Sequence, residues 1–447
     1  MHTIQDAIDF AITNGLVKYD TQFKLTHAPF CLTPFLLKKA VIKDMISLTP
    51  VFNELMMKVG ENKGFLYRHL KASALTDDFI KRLLDLNAKV DFSNHLQICR
   101  NDFLFASADG KSNQVYPKQV EYNAISNSFP YLATKTNLLH RYLSQTSSGD
   151  KGLIENEPLE KVVDVMAEVV RYYDAPRSCV LMVVQKNEQN LFDQRGIEYR
   201  LLKKYGIPTF RQQLEQIAEN AKIKDGHLLI NGHIAALTYF RAAYTPNDYP
   251  DRKAWKGREI IEHSSSVKCP SIGMQLAGTK KIQQVLSKEN ILEQFISPDQ
   301  ANLIKKTFVG MFDLNELVNS VPAMELAIKS PEKYVLKPQR EGGGNNLYED
   351  EMVEHLNRIS AEERNAYILM ERIFTPTERS ILVVDGRDEE TQTISEIGRY
   401  GACLHDGHSI RFNKDIGYLV RTKSADKNEG GVCAGHACLN VLRDPEI

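Results

Sequence analysis

Apolar positions recur three and four apart over Ile4 to Leu16, Phe35 to Val59 and Asp77 to Ala88, which places them on one helical face. The first third of the chain therefore reads as helix-rich, with Pro50 expected to split or kink the second helix because it lacks an amide hydrogen. Another amphipathic helix spans Leu159 to Tyr173. It leads through Asp174-Ala175-Pro176 into Cys179 to Val184, an unbroken apolar run suited to a fully buried strand. From there to about Lys280 the pattern alternates: helix Phe192 to Lys204, a short strand, helix Arg211 to Ala221, then strands around Leu228 and Ala235 to Phe240. That alternation predicts a βαβ lobe with a mostly parallel sheet. Beyond Lys280, helices are expected over Ile282 to Phe295, Asn302 to Leu317 and Asp350 to Ile359. Strands are expected at Tyr334 to Leu336, Ala366 to Ile373, Ile381 to Val384 and Thr391 to Ile397. The fold class is thus α/β.

The 447 residues carry 56 Lys+Arg against 57 Asp+Glu, with 43% hydrophobic and 25% charged, which excludes a disordered tail and predicts about three lobes. The balance gives no reason to expect nucleic acid or an anionic membrane as partner, so any phosphate chemistry must be local. No apolar run approaches the roughly 18 residues that a membrane span requires. Seven scattered cysteines with no Cys-x-x-Cys pair read as reduced thiols, hence a cytoplasmic protein. Met1 to Leu16 contains Asp6 and Asp9 and is unlike a signal peptide; a leader already removed would instead make the chain secreted.

Three glycines, Gly342, Gly343 and Gly344, stand between an expected strand and an expected helix. Such a run is either a flexible surface loop or a place where backbone amides approach a phosphate. Its flanks favour phosphate: Lys337 supplies a cation, Glu341 a magnesium ligand, and Asn345 and Asn346 extra donors. Two better-known phosphate motifs fail. Gly273 to Lys280 nearly spells a Walker A loop, but Thr279 precedes Lys280, and no G-x-G-x-x-G follows a strand. Lys280 remains a candidate phosphate contact, with a solvated helix face as the alternative.

Motifs in sequence order carry a family resemblance: VEYNAISNSF (Val120 to Phe129), NLFDQRGIE (Asn190 to Glu198), CPSIGMQLAGTKK (Cys269 to Lys281), VLKPQREGGGNNLY (Val335 to Tyr348), AYILMERI (Ala366 to Ile373), ISEIG (Ile394 to Gly398), LVRTK (Leu419 to Lys423) and EGGVCAG (Glu429 to Gly435). Over nearly its whole length the chain resembles eukaryotic-type glutathione synthetase, an ATP-grasp ligase family. The resemblance implies ATP-dependent ligation of γ-glutamylcysteine and glycine through an acyl phosphate, chemistry that rests on positioning and charge neutralisation. It implies an ATP-grasp nucleotide clamp with a glycine-rich lid and an inserted βαβ substrate-binding lobe. The division is 1–177 (helical region and first part of the clamp), 178–280 (the lobe) and 281–447 (second part of the clamp, lid and C-terminal substrate loop). A homodimer is also implied.

Carried across position by position, Glu121, Asn123 and Glu341 would hold magnesium; Glu121 and Asn123 share a face if that segment is extended. Lys280, Lys337, Glu121 and the Gly342, Gly343, Gly344, Asn345 and Asn346 lid would meet the phosphates. Tyr348, Met370, Glu371, Arg372, Ile373, Glu396, Lys423 and Glu429 would complete the ATP site. Arg100, Arg241 and Arg421 would receive substrate carboxylates, with Ser126, Ser128, Glu188, Gln189, Asn190, Gln194, Tyr244, Val432 and Cys433 supplying the remaining contacts. Arg421, Arg100 and Lys337 would act on the reacting groups.

Several positions depart from the family pattern: Pro130 and Tyr131 for a glycine pair, Ala242 and Ala243 for Asp-Gly, Glu349 for a glycine, Glu429 for Asp and Cys433 for Ala. They cluster toward the substrate rather than the nucleotide. The second reading is therefore a divergent member with altered acceptor or dipeptide use, or a non-catalytic or secreted interaction protein. Cys403, His405 and His408 are weak zinc candidates, Trp255 is expected to be packing, and Asp193 is expected to orient Gln194 or Arg195.

Overall fold

A computed structural model describes residues 3–91, 94–107, 115–146, 152–339, 344–428, 430–432 and 436–446. The strands that carry the site are β1 (His95–Ser107), β2 (Val115–Asn123), β3 (Ser178–Val183), β4 (His233–Phe240), β5 (Val267–Cys269), β6 (Tyr334–Pro338), β7 (Tyr367–Glu371), β8 (Glu378–Val384), β9 (Arg387–His405) and β10 (Ile410–Ser424). All but β6 and β7 belong to one mixed sheet of 13 strands. Antiparallel pairing joins β10 to β9 and β9 to β1.

On its other side β1 forks. Its first residue, His95, pairs in parallel with Lys268 of β5, while Arg100 to Ser107 pair antiparallel with β2. From β5 the sheet continues in parallel through β4 to β3, the arrangement the strand and helix alternation predicts. The parallel strands are thus continuous with the main sheet. A separate three-stranded antiparallel sheet holds β6, β7 and Met311–Phe312.

Side-chain alternation along β1 explains how a buried strand reaches the site. Leu96 and Ile98 point into one hydrophobic cluster with the helix Pro158–Tyr173, whereas Cys99, Phe103 and Phe105 enter the cluster on the opposite face with the helix Lys39–Glu61. Arg100, Asp102 and Leu104 continue the face of Leu96 and Ile98.

Four expectations change, the first being the helix over Ile282 to Phe295, which ends at Leu286 and is followed by a 3-10 turn at Leu292–Gln294. The helix Lys39–Glu61 runs unbroken through Pro50; Thr49 Oγ1 donates to the Met45 carbonyl and Asn413 Nδ2 to the Pro50 carbonyl, so the breaker is tied into the fold. The helix expected over Asn302 to Leu317 ends at Lys305. Gly310 instead exchanges bonds with Glu371, donating to its carboxylate and accepting from its amide, both at 2.8 Å, which carries Met311–Phe312 onto β7. The first third also contains the long β1–β2 pair, which the helical periodicity concealed.

Candidate active site

The sheet section β2-β1-β9-β10 presents the candidate residues on one face. Register sets Arg100 opposite Asn123 and Asp102 opposite both Glu121 and Gly398; it sets Glu396 opposite Arg421 and Ile394 opposite Lys423. Between Gln119 and Glu121 the β2 register slips by one residue, a bulge at Val120. The bulge's carbonyl accepts from Lys337 Nζ at 3.0 Å and from Gln283 Nε2 at 3.4 Å. Lys337, far along the chain, is thereby fixed beside Glu121.

Glu121 lies 3.4 Å from Lys280 Nζ. Burial works against its ionisation, but Lys280, Lys337, Arg421 and Arg100 outweigh it and hold the carboxyl down to about 2. Asn123 Nδ2 donates to Asp102 (2.9 Å) and to the Arg100 carbonyl (3.3 Å), which leaves its amide oxygen as the possible ligand atom. An ionised carboxylate and an amide oxygen two apart on a strand are donors a hard cation accepts, and magnesium completes its shell with phosphates and water. Among the described residues, no group of three or more His, Cys, Asp or Glu side chains is arranged to hold a metal. Cys403, His405 and His408 form none either; His405 faces Glu61 at 3.2 Å.

Two cavities flank this face. The polar one, of about 460 Å³, is lined by Arg100, Glu121, Asn123, Ser126, Ser128, Glu188, Gln189, Asn190, Arg241, Tyr244 and Arg421. Gln194 lies behind its wall, donating to Glu188 at 3.0 Å. Arg241, 2% exposed, donates to the Asn127 carbonyl (2.7 Å), Ser128 Oγ (2.8 Å) and Asp193 (3.1 Å), while its own carbonyl accepts from Ser126 Oγ.

Asp193 does not orient its sequence neighbours: Gln194 belongs to Glu188 and Arg195 to Glu198. It accepts from the amides of Phe129 (3.0 Å) and Tyr131 (2.9 Å) and from Arg241. Burial pushes its carboxyl up, yet every one of these partners is a donor. A proton there would have no acceptor, so we take the group as carboxylate. This network holds Ser126 (φ 58°) and Phe129 (φ 80°) in the left-handed region, as is Ala243 (φ 73°) beyond Arg241. Strain of this kind persists where neighbours over-determine it. Tyr131 packs against Gly196, where an added Cβ would meet the ring at 2.2 Å.

The second cavity, about 120 Å³, is more apolar. Leu104, Ile394 and Lys423 come from the large sheet; Val335, Lys337, Met370, Glu371, Arg372 and Ile373 come from or directly follow the small one, with Asn346 and Tyr348 closing it. Arg372 pairs with Glu349 at 2.8 Å and lies over the Tyr348 ring. Glu396 lies on Arg421, two residue pairs along the strands from this cavity. Gly344 has φ +88° and stands outside the lining, as does exposed Asn345. Val432 is packed in the core. Glu341, Gly342, Gly343, Glu429 and Cys433 lie outside the described residues.

Asp102, Asn127 and Phe23 were not singled out from sequence. Asp102 carried a signal, standing two residues from Arg100 and so on the same strand face. Phe23 carried none, because it reaches the polar cavity only through the fold of an N-terminal hairpin.

The sequence profile described as "Eukaryotic glutathione synthase, ATP binding domain" matches residues 1–442. "Glutathione synthetase, chloroplastic" of Arabidopsis thaliana is 37% identical, covering 98% of this chain and 84% of that protein. The glutathione synthetase of Homo sapiens is 36% identical over 98% of this chain and 95% of its own length, and that of Dictyostelium discoideum 34% identical over 98% and 97%. A solved glutathione synthetase-like effector of Globodera pallida, in apo form, superposes with a TM-score of 0.79 at 17% identity, covering 99% of this chain and 96% of that one, which bears on fold alone. Full-length likeness in sequence, with several of the matched motifs lining the two cavities, makes this chain a member of the eukaryotic glutathione synthase family.

Proposed function

We propose that the protein is an ATP-dependent ligase joining γ-glutamylcysteine to glycine. The carrying observation is the single sheet face that runs from the more apolar cavity to the polar one with Arg100 and Arg421 between them. ATP would seat its base against Met370, Ile373 and Tyr348 and its phosphates toward Lys280 and Lys337. The dipeptide would fill the polar cavity, with Arg241 and Ser128 on one carboxylate and Glu188 on its ammonium. Arg100 and Arg421 would bring the cysteine carboxylate to the γ-phosphate.

An oxygen of that carboxylate attacks the γ-phosphorus and ADP leaves; the glycine amine then attacks the acyl carbon and phosphate leaves. Among the described residues, four cations, Arg100, Arg421, Lys280 and Lys337, stand with three carboxylates, Asp102, Glu121 and Glu396, so incoming anions meet several positive side chains. Magnesium, held by Glu121 and Asn123 with Glu341, would neutralise charge on the phosphates.

The division 1–177, 178–280 and 281–447, the glycine lid over Gly342 to Asn346, and a homodimer belong to the same proposal. Exposed Leu25, Leu36 and Ile46 in the first third offer apolar surface for a dimer, which sedimentation tests. The six described cysteines are unpaired and buried, which supports a reducing compartment. No helix among the described residues is long and apolar enough to cross a membrane.

The departures at Ala242, Ala243 and Glu349 leave the charged cavity residues in place, those at Glu429 and Cys433 lie outside the described residues, and the likeness to glutathione synthetases favours glycine as acceptor. The test is ADP release with γ-glutamylcysteine, magnesium and a panel of amino acids. Release with glycine is expected. No release above the ATP-only background with any of them overturns the proposal.

A further inference from the structure

We propose that Asp102 is the positioning residue of the site, setting both arginines and the Asn123 amide for substrate. The inference rests on the functional reading above. Asp102 is fully buried, and its two oxygens take Arg100 Nε (2.7 Å), Arg100 Nη2 (2.8 Å), Asn123 Nδ2 (2.9 Å) and Arg421 Nη2 (3.0 Å). One carboxylate therefore fixes groups from three strands: its own, β2 and β10.

The reach to β10 crosses β9, and it is open because the residue there is Gly398. A Cβ at 398 would stand 2.5 Å from Asp102 Oδ1 and 2.6 Å from Arg100 Cδ. The glycine of the ISEIG segment thus serves this side-chain bridge. Asp102 also faces Glu121 across β1 and β2, a like-charge pair that Arg100 and Lys280 offset. Because it is enclosed by these donors, Asp102 acts through the arginines and Asn123 rather than on substrate itself.

Two variants separate positioning from mere stability. Asp102→Asn removes the charge and points amide hydrogens at donors, whereas Gly398→Ala keeps every charge and displaces the bridge. With saturating ATP, both are expected to raise KM for γ-glutamylcysteine and to lower kcat, each by roughly tenfold or more, while the Kd of ATP measured without magnesium stays within about twofold, because the smaller cavity includes none of Asp102, Asn123, Arg100 and Arg421 in its lining. A purely structural role would shift the unfolding midpoint and weaken both substrates alike. Folded Gly398→Ala protein with wild-type KM and kcat for the dipeptide overturns the proposal, and that variant decides the matter alone should Asp102→Asn fail to fold. If wild-type protein turns over no γ-glutamylcysteine, the functional reading fails by itself. The positioning role is then decided by a crystal structure of Gly398→Ala, in which the Arg421 guanidinium must leave its wild-type place; an unmoved guanidinium refutes it.

Discussion

Replacing Asp193 by Asn tests the network behind the polar cavity. Asp193 and Arg241 are both almost fully enclosed and 3.1 Å apart. Removing one partner of a buried ion pair costs about 3 to 5 kcal/mol. The lower end applies here, since Arg241 keeps the Asn127 carbonyl and Ser128 Oγ. The Asn amide group would also face a donor, orphaning the amide of Phe129 or Tyr131 at a cost of about 1 to 3 kcal/mol. Together these give a loss of about 4 to 6 kcal/mol, a large part of the total stability of an ordinary domain. Urea unfolding followed by circular dichroism measures it, with Ser128→Ala, expected to cost only about 1 kcal/mol, as the reference. An Asp193→Asn midpoint corresponding to less than about 1 kcal/mol of lost stability would falsify the account of a tightly coupled clamp.

Burial lowers the His140 pKa to about 4, against a bond to the Cys31 carbonyl that favours the charged form. Its folded value lies below its unfolded one, so its contribution is full above pH 6.5 and falls by about 3 kcal/mol as pH drops to 4. His140→Gln should flatten the urea midpoint over that window, and an unchanged slope contradicts the assignment. Glu121→Gln is expected to raise the magnesium concentration for half-maximal turnover roughly tenfold or more; an unaltered magnesium titration removes Glu121 from the metal site. Ile373→Ala, which strips apolar surface from the smaller cavity, should weaken ATP about fivefold, from roughly 1 kcal/mol of lost burial, with calorimetry as the check. Burial pushes the thiols of Cys99, Cys179 and Cys403 up to about 12. They should resist a charged disulfide reagent at pH 8 until the protein unfolds, and rapid native-state labelling of any of them counts against the fold.

Periodicity located the most regular helices and the parallel strands because their apolar faces are regular, but not the helices Pro130–Thr146 and Arg252–His263. It missed β1, whose sequence, HLQICRNDFLFAS, places Arg100 and Asp102 on the face that carries Leu96 and Ile98. A strand that supplies both core side chains and charged groups facing a cavity loses the alternation by which strands are recognised. The same conflict explains Pro50, which local preference reads as a break and tertiary bonds retain. The two cavities were legible only through motif resemblance. Arg100, Glu121, Lys280, Lys337 and Arg421 converge from segments far apart in sequence, and pair registers set by hydrogen bonds between distant strands have no local signature. Phe23 and the bulge at Val120 belong to that category too.

The more apolar cavity has one wall on the 13-stranded sheet and the other on the three-stranded sheet, and among the described residues no ladder joins the two. A nucleotide seated there would act as mortar between two separately hydrogen-bonded slabs. Its binding energy would then be shared between catalysis and cohesion: ATP would slow hydrogen exchange along β6 and β7 while leaving the interior of β9 and β10 almost unaffected. In the cell, the supply of nucleotide would then govern not only how fast the protein works but how long its smaller slab survives proteases.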